Sequence, residues 1–346
     1  MSASRYHSLT VQSVIDETED ARSLVFEIPP ELAEAYRYSP GQFLTLRLPW
    51  QGKHLLRCYS MSSTPELDSS PRVTIKRVQD GRGSNWICDN VKPGDTLEVM
   101  QPSGVFVPKS YDGNFVLFAG GSGVTPVFSI LRAVLEHGKG RIRLIYANRD
   151  EASVIFKEYL KSLTAKYPDR LEVIHLLDSV QGIPSTELLA RLAEPLVQGQ
   201  AFICGPGPYM DAAEAALGQI GMPRKRIHVE RFISLPDEEA RDAAAAAAHD
   251  QPASVDKAAV TIELDGQVHE ITCDGNETLL EAAEKAGLEL PYSCQAGMCA
   301  SCMCEVTEGE VKLLVNDVLD ERDLSQSLTL TCQAVPLTDK VRIRYT

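Results

Sequence analysis

Over the first hundred residues, apolar side chains fall at alternate positions or in short runs, at residues 9–14, 23–28, 43–48, 72–78 and 96–100. Turn pairs separate them: Pro40-Gly41, Asp80-Gly81 and Pro93-Gly94. Short strands at this spacing predict a closed or nearly closed antiparallel β-barrel. At Asn114 the period changes. Residues 115–119 form an unbroken apolar run, as a strand buried on both faces requires, and Gly120-Gly121-Ser122-Gly123-Val124-Thr125-Pro126 follows directly. A helix is predicted from there to Glu136, with Val127, Phe128, Leu131, Val134 and Leu135 facing inward and Gly138 closing it. Strand–helix pairs then recur, 141–147 with 154–167, 171–176 with 185–193 and 201–204 with 208–220, before a last strand at 226–232. Five strands alternating with four helices predict an open parallel sheet with its site at the strands' C-terminal ends.

Residues 236–256 have no apolar period beyond alanine and read as a tether. After it, residues 260–264 and 268–272 flank Asp265-Gly266, a hairpin signal. Asn276 is expected to cap a helix carrying Leu279, Leu280 and Ala283 that ends at Gly287. Strands are expected at 303–306, 328–333 and 341–345. This is an α+β β-grasp pattern. The expected fold is therefore multidomain: an antiparallel β-barrel at 1–107, an α/β open parallel sheet at 108–235, a linker at 236–256 and a β-grasp domain at 257–346.

Chemistry concentrates first in the β-grasp domain. Cys294, Cys299 and Cys302 give C-x4-C-x2-C, with Cys332 as a distant fourth thiolate. That is the spacing of a plant-type [2Fe–2S] cluster. Small residues (Ala296, Gly297, Ala300, Ser301) let the loop turn back on itself. Soft thiolates also suit zinc, but zinc sites usually carry two C-x2-C halves, and only one is present here. Cys304, in a strand pattern, reads as a core residue.

Composition narrows the setting. A length of 346 residues suggests two or three domains. No run approaches the roughly 18 apolar residues of a membrane span, and the first residues show no apolar signal core. Nine cysteines in such a chain argue for a reducing cytoplasm and for metal or redox use. A net charge of −14 argues against nucleic acid as a partner. From Lys257 to Thr346 there are 7 Lys and Arg against 16 Asp and Glu, a balance of −9, so the cysteine-bearing end could offer a docking face to a basic partner. The seven histidines are scattered, and no Ser-His-Asp arrangement is visible. Oxygen-activating or hydrolytic chemistry is therefore not expected in this chain.

Four further stretches carry candidate binding groups. Arg57-Cys58-Tyr59-Ser60 places a cation, a flat ring and a hydroxyl at a strand end, as an anionic planar ligand such as a flavin nucleotide needs. Gly81-Arg82-Gly83-Ser84 is a glycine turn, with Ser84 expected to open a short helix over 85–90, whose N-terminus suits a phosphate. Cys204-Gly205-Pro206-Gly207 passes from strand to helix through residues that let a ligand approach the backbone. Glu230-Arg231-Phe232 ends the last strand near the same crevice.

Taken with the cluster motif, Arg57–Ser60, Gly120–Pro126 and the Cys204–Met210 stretch resemble the ferredoxin–NADP reductase superfamily, in its branch with a plant-type ferredoxin domain fused at the C-terminus. Residues 144–150, 202–208, 315–319 and 331–333 are most similar to reductases serving 3-ketosteroid 9α-hydroxylase. The resemblance implies FAD, a [2Fe–2S] cluster and NADH, with NADPH disfavoured by Asp150 and Glu151. It implies that Arg57 binds flavin phosphate, Tyr59 packs on the isoalloxazine and Ser60 lies near its N5. Gly83 and Ser84 would hold the pyrophosphate, and Lys76 joins the cofactor-binding residues. Gly121, Gly123 and Thr125 would receive the dinucleotide phosphates, beside Gly205 and Pro206. Cys204 would sit by the nicotinamide and Phe232 over the flavin, so Ser60, Cys204 and Phe232 flank the hydride transfer. The implied partner is a Rieske-type terminal oxygenase docking on the acidic ferredoxin domain; an aromatic-ring hydroxylase or phenylacetyl-CoA epoxidase is the alternative.

Overall fold

The computed structural model describes residues 6–232, 254–292, 295–297, 299–316, 318–319 and 321–345. Cys294 and residues 236–253 of the expected linker lie outside the described residues. Two compact units result. One comprises His7–Arg47 and Cys58–Phe232, the other the described residues 254–345 together with Tyr6 and Leu48–Arg57. Among the described residues, no helix is long and apolar enough to cross a membrane.

Six strands form the N-terminal antiparallel sheet: β1 (Tyr6–Thr18), β2 (Ala21–Glu27), β3 (Phe43–Trp50), β4 (Lys53–Ser60), β5 (Arg72–Lys76) and β6 (Thr96–Met100). Their order is β4-β3-β6-β1-β2-β5. Met61, just past β4, bridges Val73 of β5 and brings the two edges together, which removes the free edges an open sheet would expose. Helix α1 (Arg82–Asn90) starts three residues earlier than the sequence suggests. Gly81 holds the cap position with no side-chain cap, and Ser84 sits inside the first turn, where its Oγ accepts the Val78 N–H at 3.1 Å.

The next five strands, β7 (Phe115–Gly120), β8 (Ile142–Asn148), β9 (Leu171–Leu177), β10 (Gln200–Cys204) and β11 (Ile227–Glu230), are all parallel and ordered β11-β10-β7-β8-β9. Alternate residues of β7 explain why both faces must be covered. Phe115, Leu117 and Ala119 pack with α2 (Val124–His137) and α3 (Lys157–Lys166), while Val116 and Phe118 pack with α5 (Thr186–Ala193) and α6 (Gly207–Gln219). Each fully buried large side chain contributes roughly 1.5–3 kcal/mol. Helix α3 starts at Lys157, not 154, because Phe156 takes a left-handed conformation (φ 62°) that seats its ring on Phe128. A short α4 (Asp178–Gln181), absent from the sequence pattern, follows β9.

In the second unit, β12 (Lys257–Leu264), β13 (Gln267–Asp274), β14 (Met303–Glu308), β16 (Leu328–Leu330) and β18 (Lys340–Arg344) form a sheet ordered β13-β12-β18-β14-β16, and β15 (Val311–Leu313) pairs with β17 (Ala334–Pro336). Asp265 and Gly266 both have positive φ, as the two-residue hairpin turn demands. β12 runs parallel to β18, the central pairing of a β-grasp. Helix α7 (Leu279–Lys285) packs Leu279, Leu280, Ala282 and Ala283 into the core, ahead of α8 (Glu321–Ser325). Its cap is Thr278, not Asn276: the Thr278 hydroxyl accepts the Glu281 N–H and the Glu281 carboxylate accepts the Thr278 N–H.

Candidate functional site

Strand order in the parallel sheet reverses between β7 and β10, and the turns that leave those two strands meet there. A Cβ on Gly123 would lie 2.2 Å from the Cys204 carbonyl oxygen, and one on Gly120 would lie 2.6 Å from Pro206 Cδ. Only glycine lets the two backbones touch at this switch point, the usual ligand crevice of an open α/β sheet. Gly121 is left-handed (φ 52°), and its carbonyl accepts the Tyr146 hydroxyl at 3.2 Å. Thr125 is buried, and its Oγ1 donates to the Ser122 carbonyl at 3.0 Å. It therefore pins the loop, and the loop backbone is what faces outward. Lys76 reaches the same edge, with Nζ 4.0 Å from a Cβ placed on Gly121, and it pairs with Asp20 at 3.6 Å.

Ser60 ends β4 and is buried. Its Oγ donates to Glu230 Oε2 at 3.1 Å, across to the end of β11. This bond brings the barrel's Tyr59-Ser60 end to the crevice where Cys204 sits, since β10 pairs with β11 in the register Cys204↔Glu230. Although Glu230 keeps some exposed surface, desolvation of its carboxyl pushes the pKa up to about 8, with the Ser60 hydroxyl opposing the shift. Burial, then the neighbouring Glu230, raises the Cys204 thiol well above its ordinary range, so Cys204 is a neutral, inert wall. Glu230 makes the long-range polar contact of this edge; the sequence placed the Glu230-Arg231-Phe232 stretch at this crevice but gave Glu230 no role of its own. A carboxylate at the last strand's end, facing a serine in another domain, has no local pattern to reveal it.

The Glu230 shift has a sign that can be checked. Unfolded, the carboxyl releases its proton near 4.5; folded, it keeps it to about 8. Its protonated form therefore contributes stability that is complete below pH 4.5 and is lost as pH rises through 8. Glu230→Gln, which cannot titrate, should lose less apparent Tm than wild type between pH 5 and pH 8.5, by about a few degrees. Parallel melting curves for the two proteins would refute the shift.

The remaining flavin-side residues are less gathered. Arg57 Nη1 donates to the Leu56 carbonyl at 2.7 Å. Gly83 and Ser84 lie in the first turn of α1, their N–H groups at its open end. Phe232 leaves 46% of its surface exposed.

In the second unit, Gln295, Gly297 and Ala300 all have positive φ (52°, 74° and 55°), which folds the cysteine loop back on itself. A Cβ on Gly297 would come within 2.5 Å of the Val315 carbonyl oxygen. Cys302 and Cys332 are buried with their Sγ atoms 3.3 Å apart, close enough to bind one metal. Cys299 is half-buried and turns its Sγ to Ser301 Oγ at 3.3 Å. Among the described residues, no three His, Cys, Asp or Glu side chains converge as a metal site. A two-iron cluster takes its thiolates in pairs, and the spacing of Cys302 and Cys332 fits one such pair. Cys332 is bracketed by residues that hold both ends of the loop. Thr331 N and Oγ1 both donate to the Cys302 carbonyl, at 3.1 and 3.3 Å, and Gln333 Nε2 donates to the Gln295 carbonyl at 3.0 Å. Cys304 lies in the core, where burial raises its thiol far above its ordinary pKa.

Three family models match in chain order: an oxidoreductase FAD-binding domain at residues 8–107, an oxidoreductase NAD-binding domain at 117–215 and a 2Fe-2S iron-sulfur cluster binding domain at 262–337. Fold and site together define an FAD- and NAD-binding oxidoreductase with a built-in [2Fe–2S] domain. The chain belongs to the family of reductase components of multicomponent oxygenases, which deliver electrons to a terminal oxygenase. It is 50% identical over 343 residues to the 3-ketosteroid-9-alpha-monooxygenase ferredoxin reductase component of Rhodococcus rhodochrous, covering 99% of this chain and 97% of that one. It is 37% identical over 356 residues to one component of the 1,2-phenylacetyl-CoA epoxidase of Escherichia coli K12, covering 98% of each. Among solved structures, phthalate dioxygenase reductase matches 98% of both chains with a TM-score of 0.60 at 23% identity, a likeness of fold.

Proposed function

We propose that this protein takes electrons from NADH and hands them to a Rieske-type 3-ketosteroid 9α-hydroxylase in the cytoplasm. The Ser60–Glu230 hydrogen bond carries the reading, because it joins the strand end suited to the flavin with the crevice suited to nicotinamide. When bound, FAD accepts two electrons as hydride and the [2Fe–2S] cluster carries them onward one at a time. The chain's own residues supply position. Arg57 would hold the flavin phosphate, Gly83 and Ser84 its pyrophosphate, Tyr59 would pack on its ring and Phe232 would cover it. Ser60 orients at the hydride-accepting edge through Glu230. Gly121, Gly123, Lys76, Gly205 and Pro206 receive the dinucleotide, Thr125 shapes its loop, and Cys204 walls the nicotinamide subsite. Cys294, Cys299, Cys302 and Cys332 hold the cluster. The division into 1–107, 108–235, 236–256 and 257–346 assigns each cofactor a domain of its own.

The preference for NADH rests on Asp150. Its carboxylate accepts from Ser153 and Arg149, which hold its pKa down to about 2, so it is charged at neutral pH where a 2′-phosphate would lie. Asp150→Asn should raise NADPH kcat/KM roughly fivefold, the size of one screened charge contact, and barely move NADH. An unchanged NADPH:NADH ratio would remove Asp150 from specificity.

The β-grasp segment's surplus of acid, −9 over 257–346, supports docking there of a basic oxygenase face. Raising salt from about 0.05 to 0.5 M should slow partner reduction several-fold and leave dye reduction unchanged; equal salt dependence would place docking elsewhere. The 37% identity to the epoxidase component favours, as a second reading, an acyl-CoA epoxidase partner. The decisive experiment is an absorption spectrum with iron and sulfide analysis, then anaerobic NADH titration and electron delivery to each candidate oxygenase. Overlaid flavin and cluster bands that bleach with NADH support the proposal. A colourless, zinc-bearing protein overturns it.

A further inference from the structure

One buried polar chain in the second unit ends on the cluster loop. Thr331 precedes Cys332 in sequence, and its Oγ1 donates to the Cys302 carbonyl at 3.3 Å. The same Oγ1 lies 2.8 Å from the hydroxyl of Tyr345, which follows β18. A threonine hydroxyl has one proton. With that proton on the Cys302 carbonyl, the Tyr345 hydroxyl must be the donor to Thr331. Both O–H dipoles then point the same way, positive end toward the Cys302 carbonyl, the backbone that carries one member of the Cys302–Cys332 pair. The Tyr345 ring packs against the core that contains Cys302, Cys304 and Cys332, and its backbone N–H is fixed to the Glu263 carbonyl at 2.9 Å.

We infer that Tyr345, acting through Thr331, is a positioning residue for the Cys302–Cys332 half of the cluster site and favours the reduced cluster. The inference rests on the assignment of those two cysteines as ligands. A group that gains an electron is stabilised by fixed dipoles whose positive ends face it, and hydrogen bonding around the sulfurs is one of the terms that set iron–sulfur potentials. Ordering matters as well as charge, because a partner that orients a ligand tunes the metal it binds. Tyr345→Phe keeps the ring and its packing and removes only the donor.

The test is a potentiometric titration of the purified full chain, read by the EPR signal of the reduced cluster and by visible circular dichroism, with iron and sulfide counted. Tyr345→Phe should shift the cluster's one-electron equilibrium toward the oxidised form by roughly three- to tenfold, tenfold being about 59 mV. NADH-to-dye turnover should be unchanged. Thr331→Val should give a shift of the same sign. The double variant should shift no further than the larger single one, because the two groups act in series. Thr331→Ser, which keeps the hydroxyl, should restore the wild-type potential. Additive shifts, or a Tyr345→Phe cluster with wild-type potential and spectrum, overturn the inference alone. Lower iron content with an unchanged potential also overturns it, since that is what a merely structural role gives. A wild-type protein lacking paired iron and sulfide overturns the ligand assignment and this inference together.

Discussion

Cys332→Ser should cut electron delivery to the oxygenase by at least about a hundredfold while NADH-to-dye turnover stays within about twofold. Cys332 stands 3.3 Å from Cys302 and is the only cysteine of the proposed set outside the 294–302 loop. A serine hydroxyl is a hard ligand in place of a soft thiolate, and iron–sulfur clusters depend on the latter. Losing that ligand opens the pair, and electron exit stops with it. The flavin and nucleotide residues belong to another compact unit except for Arg57, so their chemistry should persist. Measured side by side with the oxygenase and with a dye, the two activities must separate. Equal loss of both would mean the cluster is needed for the fold of the whole chain, and the division of labour would fail. Retention of both would remove Cys332 from the electron path.

Gly123→Ala should lower NADH kcat/KM by on the order of a hundredfold and leave FAD content near that of wild type. The added methyl would stand 2.2 Å from the Cys204 carbonyl oxygen and 2.6 Å from the Gly205 nitrogen. Both are backbone atoms, so no side chain can swing away. The turns after β7 and β10 must separate, at a cost of roughly 1–3 kcal/mol in stability. A displacement of about 1 Å at a site that aligns reacting groups can cost a hundredfold in rate. A KM and kcat within twofold of wild type would show that the nucleotide does not use this crevice. Loss of bound FAD as well would show that the damage spreads to the barrel, and a stopped-flow measurement of flavin reduction would separate the two.

Much of this arrangement was legible along the chain. Period two, then unbroken apolar runs followed by helices, then period two again, marked three architectures, because burial on one face or two leaves a periodic trace that local sequence carries. The cluster motif and the glycines after β7 were equally visible, since tight backbone approach and thiolate ligation each demand particular residue types. Boundaries were less so. Thr278-Leu279-Leu280-Glu281 is a capping box that outranks Asn276, and both candidates lay within three residues. Ser84 resembled a cap but serves as an acceptor inside α1. Phe156 combines a left-handed φ with stacking of its ring on Phe128, a tertiary contact no local pattern contains.

By itself, then, the sequence determined the three domain types, the class of cofactor for each and the identity of the candidate ligands. The tertiary structure alone decided which distant groups meet. Ser60 and Glu230 are 170 residues apart, and Thr331 and Tyr345 sit on separate elements. Gly123 and Cys204 touch only because the sheet places β10 beside β7. Hydrogen bonds and carbonyl contacts of this kind depend on strand order and register. Those are properties of the folded sheet that no single segment's hydrophobic period encodes.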